Sequence, residues 1–201
     1  MRVASLVIKV AVIGALITGG VVTTTVIMPE LAAAATLTAT EAADLTFQRE
    51  EEKLARDVYL TLYDTWKAQI FSTIATQSEQ RHTDIMKKFL DKYNLPDPAL
   101  PGIGNFTNSD LKAKYEALVA KGSVSYVEAL YVGAFIEELD MVDLQAAINN
   151  THRVDLLTAY QNLMDGSKSH LRAFVVGLEA QGITYAPVLL SVDLYDAIIG
   201  L

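Results

Sequence analysis

The placement of proline and glycine constrains this chain more than any other feature. Neither residue occurs from Leu31 to Leu95, and no proline occurs between Gly104 and Tyr185. Since proline breaks the interior of a helix and glycine weakens it, both windows permit long helices. Between them, residues 94–108 hold three of the five prolines and are predicted to form a loop.

Apolar residues repeat at helical spacing within both windows, and no stretch alternates over enough residues to predict a sheet. The pattern predicts four long helices, at residues 41–66, 70–93, 125–148 and 154–180. A short helix is expected at residues 109–121, where Asn108 or Ser109 could cap its start. The sequence therefore predicts an all-α fold, a four-helix bundle with a long crossover between the second and third helices, which is the ferritin-like arrangement. An up-down-up-down bundle decorated at one end is the alternative.

Residues 1–35 differ from the rest of the chain. Arg2 and Lys9 give a short basic start, and Val10–Met28 is apolar apart from threonine and glycine. This pattern predicts a secretory signal peptide. An uncleaved membrane anchor through residues 3–28 is the alternative, because the apolar stretch matches the roughly 20 residues that a bilayer span needs. Either reading predicts export: secreted, periplasmic or anchored at the outer face of the membrane.

The remaining chain divides into a bundle at residues 41–186 and a C-terminal tail at 187–201, which could pack on the bundle with one short helix. Hydrophobic residues make up 51% of the chain, enough to bury a core. The formal net charge of −8 argues against a nucleic-acid partner, which needs a basic surface. Cysteine is absent, so any metal must be held by nitrogen and oxygen atoms.

Polar residues interrupt the apolar stripe of every long helix near its middle. Those residues are Glu51 and Glu52 on the first helix, Glu79 and His82 on the second, Glu137 and Asp140 on the third, and Ser167 and His170 on the fourth. An ionised carboxylate in an apolar core is costly unless it is paired or bound to metal. The interruptions lie at similar distances from the bends that join neighbouring helices. We therefore expect them at one level of the bundle.

Glu79 and His82 form a Glu-x-x-His pattern, which places a carboxylate and an imidazole about one turn apart on the same face. Such pairs, together with a glutamate from each remaining helix, bind two iron or manganese ions in bundle cores. The pattern alone is common by chance, and its weight here comes from the interruptions on the other helices. Glu51 is interpreted as an exposed or paired member of a charged helix face.

Four blocks of sequence carry a resemblance to a known group. The blocks Glu50–Tyr59, Ser78–His82, Ile136–Asp140 and Gly166–Phe174 resemble the ferritin-like group called domain of unknown function 2202, over roughly residues 41–186. This resemblance implies the fold and no settled activity.

A more distant similarity is to rubrerythrin, a ferritin-like di-iron peroxidase. The spacing of Glu52 and Tyr59 matches its first helix and implies Glu52, rather than Glu51, as a metal ligand. Glu79 and His82 match its second helix, and Glu137 and Asp140 match the paired carboxylates of its third. The fourth helix departs from the family pattern, because Ser167 stands where a glutamate is expected and only His170 remains. The site could then hold one metal ion, hold two with a rearranged Asp140 or a solvent bridge, or be empty.

These observations define one leading hypothesis and two alternatives. The leading hypothesis is an exported ferritin-like protein that binds one or two iron or manganese ions, with oxidase or peroxidase activity as an open question. The predicted metal ligands are Glu52, Glu79, His82, Glu137, Asp140 and His170. The alternatives are non-catalytic metal binding and a metal-free helical interaction module at the cell surface. A homodimer is compatible with this reading, and the redox partner is unidentified.

Overall fold

The structure, a computed structural model, describes residues 36–200. Within this range the chain forms six helical stretches and no strand, which confirms the predicted all-α class for the described residues. None of the described helices combines the length and the apolar character that crossing a bilayer would require. The predicted signal peptide or anchor at residues 1–35 lies outside the described residues.

The long helices lie within two residues of their predicted bounds, with one difference in the second. The elements are α1 (Ala39–Trp66), α2 (Gln69–Thr73), a π-helical turn (Ile74–Glu79), α3 (Gln80–Lys92), α4 (Ser109–Gly122), α5 (Tyr126–Asn149), α6 (Val154–Glu179) and α7 (Val192–Ile199). The second predicted helix is therefore α2 and α3 joined through a π-helical turn. Helix α7 occupies the segment expected as a C-terminal tail.

Polar caps explain where several helices begin. Thr38 and Glu41 form a reciprocal capping box at the start of α1. Asn108, one of the two caps considered from the sequence, accepts hydrogen bonds from the first backbone N–H groups of α4. The Ser125 hydroxyl accepts from the backbone of Glu128 at the start of α5. Each cap satisfies donors that have no partner inside the helix.

The core lies between α1, α3, α5 and α6. Helices α5 and α6 pack along their length, and α1 packs against α3, α4 and α5. Tyr59, Phe71 and Phe174 are fully buried and meet at ring-centroid distances of 5.2–6.3 Å. Tyr59 links this apolar packing to the polar layer described below through its hydroxyl.

Buried charges on α1 hold the long connection between α3 and α4. The Lys53 ammonium donates to the carbonyl of Gly102 at 2.9 Å, and the Asp57 carboxylate accepts from the backbone N–H of Gly104 at 2.9 Å. Lys53 and Asp57 also form a buried ion pair. The Glu50 carboxylate accepts the backbone N–H groups of Thr107 and Asn108. The proline-rich connection is therefore fixed against the bundle.

Glu138 holds the C-terminal segment in the same way. Its carboxylate, fully buried on α5, accepts a hydrogen bond from the Tyr185 hydroxyl at 2.6 Å. It also accepts the consecutive backbone N–H groups of residues 188–190, at 2.6–2.9 Å from Oε2. Hydrogen bonds to an ionised acceptor are stronger than neutral ones, so this carboxylate anchors the chain that leads into α7.

Candidate metal centre

The polar interruptions predicted from the sequence meet in one buried layer. Helix α1 supplies Glu52, the π-helical turn and α3 supply Glu79 and His82, α5 supplies Glu137 and Asp140, and α6 supplies Ser167 and His170. Their exposed fractions range from 1% to 8%. The expectation that these residues share a level of the bundle is supported by the contacts that follow.

His82 lies between two carboxylates from different helical stretches. Its Nδ1 atom is 3.1 Å from Glu52 Oε2 and 3.3 Å from Glu79 Oε2. One ligand atom from each of these three residues lies within 4.8 Å of the others, which is a separation that one metal ion could span. The first group of candidate ligands is therefore Glu52, Glu79 and His82.

His170 forms the second group with the opposite oxygen of the same glutamate. Its Nδ1 atom is 2.8 Å from Glu79 Oε1 and 3.3 Å from Glu137 Oε2. The ligand atoms of Glu79, Glu137 and His170 also lie within 4.8 Å of one another. The two imidazole rings are 5.8 Å apart between centroids. Glu79 thus belongs to both groups and contributes one oxygen to each.

The π-helical turn sets the direction of Glu79. A π-helical turn holds one residue more than an α-helical turn, which rotates the following residues by roughly 100° about the helix axis. Ile74 and Ala75 within the turn are buried, and so are Glu79 at its end and His82 beyond it. The rotation allows the apolar residues and the polar ligands to face the same core. Turns of this kind are frequent at functional sites.

The charges of the layer are strongly coupled. Burial alone would lower the pKa of His82, but the carboxylates of Glu52 and Glu79 outweigh it and raise that pKa to about 12. Burial is likewise outweighed at His170, whose pKa is raised to about 10 by Glu137 and Glu79. Burial opposes ionisation of Glu79, yet close contacts with His170 and His82 hold its pKa below the usual range. In the absence of metal, the protonated imidazoles supply positive charge that balances the neighbouring carboxylates.

The remaining carboxylates of the layer are not fully balanced by the two histidines and could interact with additional positive charge. Burial raises the pKa of Glu52 to about 7, against the lowering effect of His82. Burial and the charge of Glu52 raise the pKa of Asp140 well above its usual range. Glu52 Oε1 and Asp140 Oδ1 are buried without a hydrogen-bond partner. Glu52, Glu79, Glu137 and Asp140 would together carry four negative charges, which two divalent ions would balance once the histidines are neutral. The buried carboxylates and imidazoles therefore form donor groups that could bind metal.

Asp140 on α5 and Ser167 on α6 contact each other within the layer. The Ser167 hydroxyl contacts the Asp140 carboxylate and lies 3.1 Å from the carbonyl oxygen of Leu163. Asp140 lies outside both groups of three ligands, although its charge acts on the same cluster. Its role as a ligand stays a prediction, and Ser167 acts as its hydrogen-bond partner.

Two further residues of α1 are buried beside the layer. The Tyr59 hydroxyl donates to Glu137 Oε1 at 2.5 Å, which fixes a candidate ligand from 78 positions away in the chain. Glu51 is 2% exposed and accepts a hydrogen bond from the Gln48 amide at 3.1 Å. Of the two alternatives considered for Glu51, exposed or paired, the exposed one is therefore wrong, and the contact with Gln48 agrees with the paired one.

Gly166 on α6 makes room for the imidazole of His82. A Cβ atom at this position would lie 2.6 Å from His82 Cε1 and 2.7 Å from Nε2, closer than non-bonded atoms can approach. Because Glu52 and Glu79 hold the neighbouring Nδ1 atom, a ring pushed away by the new Cβ cannot keep these contacts, and Gly166→Ala should displace His82 from its group. We expect the affinity for a metal ion in this group to fall about 10-fold or more, as for other changes that disturb ligand orientation. Metal titration of the purified variant measures the loss.

Gly177 provides the matched control on the same helix. Its added Cβ would meet only the flexible side chain of Leu130, at 3.1 Å or more. Both substitutions replace glycine by a better helix former, so both should favour α6 by up to about 1 kcal/mol before packing is counted. Equal metal affinity in Gly166→Ala and Gly177→Ala would contradict the assigned role of Gly166.

Comparison with known proteins supports the fold and adds no activity. The sequence model of an uncharacterized protein domain, DUF2202, matches residues 41–200. The uncharacterized protein MJ0754 of Methanocaldococcus jannaschii is 53% identical over 152 residues, which cover 75% of this chain and 82% of that protein. The crystal structure of the hypothetical protein MJ0754 superposes with a TM-score of 0.80 at 49% identity, covering 82% of this chain and 94% of the other.

Proposed function

The chain belongs to the DUF2202 family, and we propose that it is a ferritin-like protein with a centre for two divalent metal ions bridged by Glu79. Glu52 and His82 would complete one position, and Glu137 and His170 the other. The observation that carries this proposal is the sharing of Glu79 between two groups of ligands drawn from four long helical stretches. The long connection between α3 and α5, with α4 inside it, supports the ferritin-like assignment.

We propose iron or manganese as the metal, because carboxylate and imidazole ligands suit both ions. Either metal, when bound, would supply electron exchange with dioxygen or peroxide, the chemistry of oxidases and peroxidases. The protein itself would hold the ligands in position and surround them with apolar side chains. Tyr59 holds Glu137 through its hydroxyl, and the buried side chains of Phe71, Met86 and Phe174 belong to the apolar core around the layer.

Loading the protein with metal tests this proposal. We expect two equivalents of Fe²⁺ or Mn²⁺ to remain after anaerobic reconstitution and desalting, measured by elemental analysis, and chelation should lower the melting temperature. Retention of less than about a tenth of an equivalent, with unchanged melting on chelation, would contradict metal binding.

Metal affinity should rise with pH. Both histidines carry raised pKa values, about 12 and about 10, so both are protonated at neutral pH without metal. Each metal ion must displace the proton from its histidine, and affinity should increase about tenfold per proton for each pH unit. Calorimetric titrations between pH 6 and 8, in two buffers of different ionisation enthalpy, should show release of at least two protons per filled centre. Binding without proton release would contradict the assignment of the histidines as ligands.

Catalysis and storage differ in their response to peroxide. Sustained peroxide consumption by the metal-loaded protein, lost in His82→Ala, would favour an enzyme. Stoichiometric oxidation that stops after one equivalent per metal ion would favour a non-catalytic metal-binding protein. His152, which is exposed and outside the layer, offers a matched control as His152→Ala.

A metal-free interaction module is the second candidate, and one observation favours it. Each histidine already forms ion pairs with two carboxylates, so the layer could fix the helix register without metal. A melting temperature that does not respond to Fe²⁺, Mn²⁺ or chelator would support this candidate over the metal centre.

Export is part of the proposal and rests on the sequence of residues 1–35 alone. The basic start followed by an apolar stretch supports a cleaved signal peptide, with a retained anchor as the alternative. A mass spectrum of the protein recovered from outside the cytoplasm would distinguish them: cleavage removes these residues, and an anchor keeps them with the membrane fraction.

A further inference from the structure

A cavity lined by positive charge lies between α1 and the connection that precedes α4. Arg49, Lys53 and Arg56 line it from α1, and residues 99–102 of the connection complete it. Its volume is about 360 Å³, within the roughly 300–1,000 Å³ typical of small-molecule sites. Among the described residues, no aspartate or glutamate lines it. A basic cavity in a chain whose net charge is −8 favours a negatively charged ligand.

The ion pairs beside the cavity leave one positive charge unbalanced. Arg49 pairs with Asp97 through its Nε and Nη2 atoms, at 3.0 and 3.1 Å. Lys53 and Arg56 share a single carboxylate, that of the buried Asp57. Three cations thus meet two carboxylates. Because a partly buried charge is costly without a partner, an anion in the cavity would be stabilised by the third cation.

Both arginines also keep hydrogen-bond donors that nothing in the described part of the chain accepts. A guanidinium group has five N–H donors. Arg49 uses three of them, two on Asp97 and one on a backbone carbonyl of α3. Arg56 also uses three, two on Asp57 and one on the side chain of Gln80. The two arginine side chains are only 11% and 19% exposed, so they are largely withdrawn from bulk water.

We propose that this cavity binds a small oxyanion of the phosphate class, with Arg49 and Arg56 as its main ligands. Guanidinium groups bind phosphate oxygens through charge-assisted, often paired hydrogen bonds. The cavity is formed before the anion arrives, because Lys53 already holds the carbonyl of Gly102 at 2.9 Å. Little ordering is then needed on binding. The site uses none of the predicted metal ligands and stands apart from the proposed metal centre.

Calorimetric titration with inorganic phosphate at low ionic strength tests the proposal. We expect one phosphate per chain. Arg56→Gln should weaken binding about 10-fold or more, which is the effect of losing a charge-assisted hydrogen bond. This variant should fold, because Asp57 keeps Lys53 and the backbone N–H of Gly104 as partners. Arg81→Gln removes an exposed arginine from α3 with the same change of charge, and it should bind phosphate as tightly as the wild type.

Removal of metal separates this site from the Glu79 centre. Phosphate can also bind a metal ion, so the titration is repeated after treatment with a chelator and desalting. The stoichiometry should not change, whether or not the Glu79 centre holds metal. Binding that disappears with the metal would overturn the cavity site.

The remaining outcomes concern the arginines and the source of the anion. Arg49→Gln provides a second variant, and circular dichroism confirms that each variant is folded. No binding to the wild type, or unchanged affinity in both Arg49→Gln and Arg56→Gln, would overturn the proposal. Tighter binding of glycerol phosphate than of inorganic phosphate would support it with a phosphate ester as the ligand, and the reverse order would support it with free phosphate.

Discussion

Glu79→Gln should abolish metal retention at both positions of the centre, from two equivalents to none. Glu79 gives Oε1 to the group of His170 and Oε2 to the group of His82. Glutamine offers one oxygen and one amide nitrogen that cannot bind a metal cation, so neither orientation serves both groups. The position that keeps the oxygen also loses the negative charge of Glu79, which weakens its hold on a cation. The fold should persist, because Glu52 and Glu137 still contact the two histidines. Elemental analysis after loading and desalting measures the result.

Asp84→Asn is the matched control for this prediction. Asp84 is an exposed carboxylate on α3, five residues beyond Glu79, and its removal changes the net charge by the same amount. This variant should retain two equivalents. Retention of one equivalent by Glu79→Gln would indicate two independent sites, and retention of both would contradict the bridging role.

Glu138→Ala should cause a large loss of stability without changing the metal centre. It leaves the Tyr185 hydroxyl and the backbone N–H groups of residues 188–190 without their acceptor. Unsatisfied buried donors cost about 1–3 kcal/mol each, but the segment can detach and become hydrated, which limits the total to about 3 kcal/mol. For a domain of this size, the melting temperature should fall by roughly 10 °C.

Two further measurements define the result for Glu138. Hydrogen exchange should show faster exchange in α7 and at residues 188–190, while the metal content stays at the wild-type value. Glu116→Ala, which removes an exposed glutamate from α4, should leave the melting temperature within about 2 °C of wild type. Wild-type stability in Glu138→Ala would show that the C-terminal segment is held by other contacts.

The positions of the long helices were predictable because they depend on local chemistry. Proline is absent from their interiors, and polar caps such as Thr38 and Ser125 stand at their starts. The level of the polar layer was predictable for a similar reason. Antiparallel helices joined by short bends place residues at equal distances from the bend side by side, as Glu137 and His170 are at 3.3 Å.

The features that the sequence did not reveal depend on contacts distant along the chain. The π-helical turn that ends at Glu79 has no residue signature of its own, and its register follows from packing of both its ends in one core. Nothing in the sequence distinguishes Gly166 from other helix glycines, because its role depends on contact with the ring of His82 on another helix. Glu50 and Glu51 are adjacent in the sequence, yet one holds the connection before α4 and the other faces α5.

Anomalous diffraction from crystals of the metal-loaded protein, recorded at the absorption edge of iron or manganese, tests the central claim most directly. We expect two peaks about 3.5–4 Å apart on either side of the Glu79 carboxylate, one beside His82 and the other beside His170. Peaks confined to the protein surface, or no peak in this layer after loading, would contradict a metal centre built on Glu79.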